Sequence, residues 1–323
     1  MLIDNTKLVE ISRLSSVAVV IPTYNAIREL DVFETNLSVL RDSGISHILI
    51  IDSSSSDDTV AVAAQYGAMV HVIAKKDFNH GATRTMGLEL LSDKDITYVL
   101  YMTQDAVFAS VEDVYHLYDF VITNNLAGCY ARQVARDNAT IMARHLREFN
   151  YGKQSYVIKY QDKAQYGMKS IFNSNSCAIY DYKLLQAIGG FSSNVILSED
   201  SLAFAEFLRL GYAVGYDANS ICIHSHNYSL IQDFRRYFDI GVFQELNRGI
   251  IEEFGYIRSE GKRYIASEIR YVMGHNLLML PSSVVHICAK ISGFILGRNY
   301  KKLSIAICRR LSMHKKWWDQ YYV

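Results

Sequence analysis

Residues 17–25 read VAVVIPTYN, and residues 47–58 read HILIIDSSSSDD. Each is a short β-branched run that stops in a polar loop, and each leads into a helical pattern. Strands alternating with helices at a steady interval signal a parallel sheet with crossover helices. Working outward, strands are predicted at 17–21, 47–51, 69–73 and 97–102. Helices are predicted at 27–42, from a Ser56-Asp57-Asp58 cap to 66, at 82–91 and at 111–124. Open α/β sheets bind ligands beyond the carboxyl ends of their strands, so function is expected in the loops after Ile21, Ile51, Ile73 and Met102. The second half is less regular, with strands predicted at 176–180 and 213–216 and helices at 201–210 and 229–247. From about 258 the pattern is helical and cationic, with seven Lys or Arg and no Asp or Glu between 298 and 316. This divides the chain into an α/β unit over 1–255 and a helical, basic extension over 256–323.

The 323 residues carry 33 Lys or Arg against 33 Asp or Glu. That neutrality argues against nucleic acid as a partner, since duplex binding needs a basic surface to replace counterions. Five cysteines, at 129, 177, 222, 288 and 308, show no paired spacing and fit reduced thiols in a cytosolic protein. The opening MLIDNTKLVE lacks the apolar run of a signal peptide, which predicts a protein that is not exported. The least charged stretch, 271–289, is interrupted by Asn276, Pro281, serines and histidines, so no membrane span is predicted.

Proline occurs twice, and Pro22 stands where the first strand ends. It is expected to stop the ladder and to leave Thr23, Tyr24 and Asn25 facing a ligand, the plain alternative being a strand terminator. Asp52 with Ser53, Ser54, Ser55 and Ser56 suits hydrogen bonding to a nucleoside base or ribose, while Ser56 or Asp57 caps the next helix. In the third loop, Asn79-His80-Gly81-Ala82-Thr83-Arg84, Gly81 and Ala82 allow close approach of a ligand, the helix start favours an anion, and Arg84 can fork onto a phosphate. The fourth strand ends in Thr103-Gln104-Asp105, where Asp105 is placed to hold a hard cation such as Mg²⁺ or Mn²⁺. Glu199 and Asp200 precede a helix and offer either a general base or a cap. His224 and His226 project to one side of an extended segment, as metal ligands or as ordinary polar residues.

The ordered series IPTYN, IDSSSSDDT, FNHGATR, TQDA, SEDS and HSHN resembles the inverting family 2 glycosyltransferases of GT-A fold, and within them bacterial rhamnosyltransferases of polysaccharide synthesis. The likeness covers about 16–250, and Leu311–Trp317 also resembles that subgroup's C-terminal end. It implies a Rossmann-like nucleotide-binding sheet with a helical C-terminal extension. It implies a nucleotide pocket at Pro22, Thr23, Tyr24, Asn25, Asp52, Ser54, His80, Thr103 and Gln104, with Arg84 near the diphosphate or base. Asp105 becomes a metal ligand with the pair His224 and His226, and Asp200 the base, with Glu199 beside it. The implied donor is dTDP-β-L-rhamnose and the implied acceptor a glycan, lipid-linked, at the cytoplasmic face of the membrane. A UDP-hexose donor and a non-catalytic nucleotide-sugar-binding subunit are the alternatives. Two positions depart from the family: Thr103 replaces the first aspartate of the usual metal motif, and Thr85 replaces the asparagine that commonly follows the arginine.

Residues 277–316 join apolar clusters to the cationic run and end beside Trp317 and Trp318. Basic residues favour an anionic leaflet and indoles an interface, which predicts peripheral membrane contact. Packing onto the α/β unit or onto a second copy of the chain is the equal alternative.

Overall fold

In the structure, a computed structural model, residues 13–29, 32–255 and 260–321 are described. The N-terminal decapeptide and the expected start of the extension near 258 lie outside them. Strand β1 (Val17–Thr23) has β2 (His47–Asp52) and then β3 (Met69–Val72) on one side and β4 (Tyr98–Met102) on the other, all parallel. The four predicted strands thus stand side by side. Their side chains alternate between two cores, Val17, Val19 and Ile21 on one face and Ala18 and Val20 on the other, as the two-residue period of a strand requires. Helices α1 (Val32–Asp42) and α2 (Thr59–Gln65) cover the first face, while α3 (His80–Leu90) covers the second.

The sheet does not end there. Strand β8 (Cys177–Asp181) runs antiparallel beside β4, followed by β6 (Leu126–Val134), β9 (Ala213–Ile223) and the two-residue β5 (Val107–Phe108), and β7 (Tyr156–Ile158) pairs with β9. The result is one mixed sheet, the GT-A architecture implied by the motifs. The sequence reading assigns nothing to 126–134. Helix α4 (Val111–Asn124) passes into β6 through a single left-handed residue, Asn125 (φ 51°), so no loop signal separates them.

Pro22 differs from expectation. The β1–β2 register continues through Pro22↔Ile51 to Thr23↔Asp52, and the Thr23 carbonyl accepts from Ser53 N–H. Pro22 therefore turns its donorless nitrogen toward β4, where pairing has already ended at Val20↔Tyr101. The ladder carries Asp52 to the sheet's carboxyl edge.

Helix α5 (Ile141–Asn150) packs against α8 (Glu260–His275), and α6 (Glu199–Arg209) lies on the same face as α3. Helix α7 (Leu230–Leu246) packs along α9 (Leu280–Arg298) at very short range. A Cβ on Gly293 would stand 2.2 Å from the Phe234 carbonyl, one on Gly297 2.0 Å from that of Phe238, and one on Gly241 2.4 Å from that of Phe294. Two backbones approach this closely only where small residues face each other. Trp317 and Trp318, expected at an interface, are buried beside Phe238 and Tyr300. Among the described residues, the apolar helix long enough to cross a membrane by length and composition is Leu277–Arg298, not 271–289.

Gly297→Ala should lower the thermal midpoint, because overpacking a tight contact costs about 1–3 kcal/mol. Gly249→Ala, with nothing within 4 Å of its Cβ, should leave stability level or slightly higher. Calorimetry of the two variants checks this, and a Gly297→Ala protein as stable as its parent would refute the tight α7–α9 contact.

Candidate active site

The metal candidates converge because of strand pairing. Val107 pairs with Ile223 and Phe108 with Cys222 in antiparallel register, so continuing back from β5 puts Asp105 opposite position 225, between His224 and His226. Asp105 Oδ2 lies 3.3 Å from His224 Nε2 and 3.6 Å from His226 Nδ1, and ligand atoms of the three residues fall within 4.8 Å of one another. The other His224 nitrogen, Nδ1, is 3.0 Å from Oε1 of buried Gln133 and donates to it, which turns the Nε2 lone pair toward Asp105. Burial lowers both imidazole pKa values, that of His226 to about 3 with help from His224, so both rings are neutral. A carboxylate and two neutral imidazoles then present only acceptors to a common point, a donor set that fits a divalent cation. Arg147 Nε donates to the His224 carbonyl at 2.7 Å and Arg136 to that of Asp105, fixing the main chain of two of the three.

Gln133 was not legible as a site residue, because β6 itself was not. Its Nε2 donates to Ser174 Oγ at 2.8 Å, in the Asn173-Ser174-Asn175-Ser176 loop that leads into β8. From the same loop, Asn175 N donates to Asp200 Oδ2 at 3.0 Å, and Ser201 N donates to Asp200 Oδ1 at 2.8 Å. Metal candidates and base candidate are thus held through one four-residue loop. A run of Asn and Ser before a strand was the only available signal.

Glu199 and Asp200 separate sharply. Glu199 is buried and its Oε1 accepts from Arg84 Nη1 at 3.0 Å. Asp200 is only partly buried, and its pKa is raised to about 7 by burial and then by the charge of Glu199. Ser198 makes no side-chain cap bond and holds a left-handed conformation (φ 64°), as do Asn25 (φ 51°) and Ser54 (φ 60°). Such residues cost about 1 kcal/mol or more each and persist where surrounding bonds hold them, commonly at functional sites.

Arg84 does not reach outward. It is 4% exposed, and its Nη1 also donates to the His80 carbonyl at 3.0 Å. The start of α3 is closed as well: Asn79 Oδ1 accepts from Gly81 N and Ala82 N, and a Cβ on Gly81 would strike the Ser192 carbonyl at 1.9 Å. The glycine admits the chain's own 192–193 backbone, and the helix cap takes the place expected for an anion. Thr85 also serves this junction, bonding Phe191 N–H at 2.8 Å. The His80 ring packs edge-on against Phe78 and against His314 at 5.0 and 5.2 Å.

The nucleotide candidates form one hydrogen-bonded rim. Asp52, buried, accepts from Thr23 Oγ1 (2.9 Å), Ser55 N (2.7 Å) and Ser55 Oγ (2.5 Å). Ser54 Oγ donates to the Ile73 carbonyl at 2.7 Å, Ser55 Oγ accepts from Asn25 N at 2.8 Å, and Asn25 Oδ1 accepts from Ser56 N at 2.8 Å. Gln104 clamps the Tyr24 main chain, accepting from its N–H at 2.7 Å and donating to its carbonyl at 3.2 Å. Thr103 is backed by Ser176, whose carbonyl accepts from its N–H. Tyr24 keeps its ring at the surface, with Lys75 Nζ 2.5 Å from its hydroxyl.

Known proteins resemble this chain in sequence and in fold. The family profile described as Glycosyl transferase family 2 matches residues 18–189. The O-antigen chain rhamnosyltransferase WbaN of Salmonella anatum is 35% identical over 308 residues, covering 95% of this chain and 96% of that one. RfbN of Salmonella typhimurium, also an O-antigen chain rhamnosyltransferase, is 33% identical over 306 residues, with 94% and 96% coverage. In fold, the chain resembles the mannosyltransferase PcManGT from Pyrobaculum calidifontis, solved with GDP-Man and Mn²⁺, at TM-score 0.59, 12% identity and 88% coverage of each chain. A matching profile over more than half the chain, with end-to-end relatives above 30% identity, makes this protein a member of glycosyl transferase family 2 and a glycosyltransferase.

Proposed function

We propose that this glycosyltransferase moves L-rhamnose from dTDP-β-L-rhamnose to a hydroxyl of a lipid-linked glycan, in one displacement that inverts the anomeric centre. The observation that carries the mechanism is Asp200, a carboxyl poised near neutrality and held through Asn175, Ser174 and Gln133 to the Asp105–His224–His226 cluster. The choice of rhamnose rests on the two Salmonella relatives. As the anion, Asp200 takes the acceptor hydroxyl proton, the oxygen attacks the anomeric carbon, and the bond from that carbon to the diphosphate oxygen breaks. Asp105, His224 and His226 would hold a divalent cation, which would supply Lewis-acid neutralisation of the diphosphate. Two imidazoles beside one carboxylate suit Mn²⁺ better than Mg²⁺, which prefers an all-oxygen shell. Glu199 and Arg84 set the position and pKa of Asp200. Thr23, Asn25, Asp52, Ser54 and Gln104 shape the nucleoside pocket, with Pro22 and Thr103 at the strand ends, Tyr24 at its surface and His80 toward the C-terminal segment.

The extension over 256–323 is read as the membrane-contact part of the enzyme. Helix α9 is inverted in polarity: its buried stripe is Ser283, Ile287, Lys290, Gly293 and Gly297, and its exposed stripe includes Val284, Val285, Ile291 and Ile295. Lys290 is absorbed inward by Glu268 at 3.2 Å. Leu278, at the α8–α9 corner, is 90% exposed, and exposed Lys301, Lys302, Arg309 and Arg310 follow the helix. An apolar face beside a cationic edge matches an anionic leaflet. Because α9 stays packed on α7, it would lie in the plane of the interface instead of crossing it.

Mass spectrometry of dTDP-rhamnose and UDP-hexose turnover tests the donor, with release of the rhamnosylated acceptor expected only from the first. Asp200→Asn should lower kcat about 10²- to 10⁴-fold with donor affinity little changed. The parent should lose activity as pH falls through about 7, since the base must be charged. Near-parental turnover by the variant would remove Asp200 from the mechanism.

Asp105→Ala should abolish the Mn²⁺-dependent part of donor binding seen by calorimetry while leaving binding in EDTA unchanged. A metal effect that survives in the variant would place the cation elsewhere.

The full chain should sediment with vesicles containing phosphatidylglycerol, less so at high salt, and the double substitution Ile291→Asp, Ile295→Asp should abolish this. Negligible binding by the parent, or a parental dimer that the variant splits, would replace the leaflet with a second copy as the occupant of this face.

A further inference from the structure

A donor diphosphate brings more negative charge than the metal cluster can neutralise. A divalent cation with one carboxylate and two neutral imidazoles leaves a net of one positive charge, less than the departing nucleoside diphosphate carries. The arginine expected to make up the difference, Arg84, is buried against Glu199. Arg136 and Arg147 are engaged with main-chain carbonyls of the metal candidates.

A further cation, Arg236, stands near His226. His226 stacks on Tyr228 at 5.2 Å and 26°, and the Arg236 guanidinium lies 5.8 Å over the Tyr228 ring. Arg236 is exposed and makes no hydrogen bond or ion pair among the described residues. One turn along α7, Asp239 Oδ2 accepts from Met313 N at 2.8 Å and so docks the C-terminal segment on the other side. From that segment His314 meets the His80 ring, and Lys316 Nζ donates at 2.6 Å to the carbonyl of Lys75, the same lysine whose ammonium holds the Tyr24 hydroxyl. The segment thereby closes the gap between α7 and the nucleotide rim.

We propose that Arg236 is the donor-diphosphate ligand of this enzyme, completing the neutralisation that the metal cluster begins, with the Asp239-docked segment Ser312–Lys316 as the fixed wall behind the diphosphate. The assignment rests on the transferase reading above. An arginine fork matches phosphate geometry, and a guanidinium that meets only the Tyr228 ring need break no hydrogen bond or ion pair among the described residues to bind. Asp239 acts here as a positioning residue.

The test is calorimetric binding of dTDP and of dTMP to the full chain, with Mn²⁺ and with EDTA, for the parent, Arg236→Gln and Arg236→Lys. Arg236→Gln should bind dTDP about 10- to 100-fold more weakly under both conditions, the range for a charge-assisted hydrogen bond, with a flatter dependence on salt. Arg236→Lys should recover part of the loss, and dTMP, lacking the second phosphate, should be affected much less. Parental dTDP affinity in Arg236→Gln would overturn the assignment, as would equal losses for dTDP and dTMP. A parent that binds no dTDP, with Asp200→Asn equally silent, would overturn the dTDP-sugar donor proposed above together with it.

Discussion

The ion pair between Arg84 and Glu199 joins the two halves of this molecule. Arg84 comes from the helix after the third parallel strand and Glu199 from the helix before β9, and both are buried at 3.0 Å. Removing one partner of such a pair leaves an uncompensated buried charge and typically costs about 3–5 kcal/mol. The pair therefore fixes α6 against α3, and with it the place of Asp200, the next residue along. It also sets that residue's chemistry. Burial, and after it the committed negative charge of Glu199 alongside, lift the Asp200 carboxyl to about 7. Two adjacent carboxylates thus receive opposite tasks from their surroundings alone.

From that junction the site is assembled by loops that bond mainly to one another. The 173–176 loop ties Gln133 and hence His224 to Asp200, while Gln104 ties the end of β4 to the end of β1. Left-handed Asn25 and Ser54 sit within this ring of bonds, so local strain is held by neighbours that are themselves anchored to strands. Such a rim is preorganised: donor binding need not order it, which favours affinity.

The C-terminal helices are tied to the same site. Glycine contacts between α7 and α9 keep the extension against the helix that carries Arg236 and Asp239, so the exposed apolar face of α9 and the segment docked through Met313 share one support.

The four parallel strands, their crossover helices and the motif loops were legible in the sequence, because period-two and helical patterns and loop composition are local properties. Asp105, His224 and His226 were legible as candidates, but their meeting depends on β5 pairing with β9, two residues of strand that no pattern marks. Gln133 and the Asn173–Ser176 loop were hidden because β6 begins without a turn. Pro22, Gly81 and Arg84 carry the right chemistry for a ligand in sequence, yet the first continues a ladder, the second admits a backbone and the third is buried in an ion pair. The sequence by itself determined which side chains are available and the order of the elements that carry them. Only the tertiary structure decided which charges are spent on one another and which remain open, because burial and long-range pairing are properties of positions brought together from distant parts of the chain.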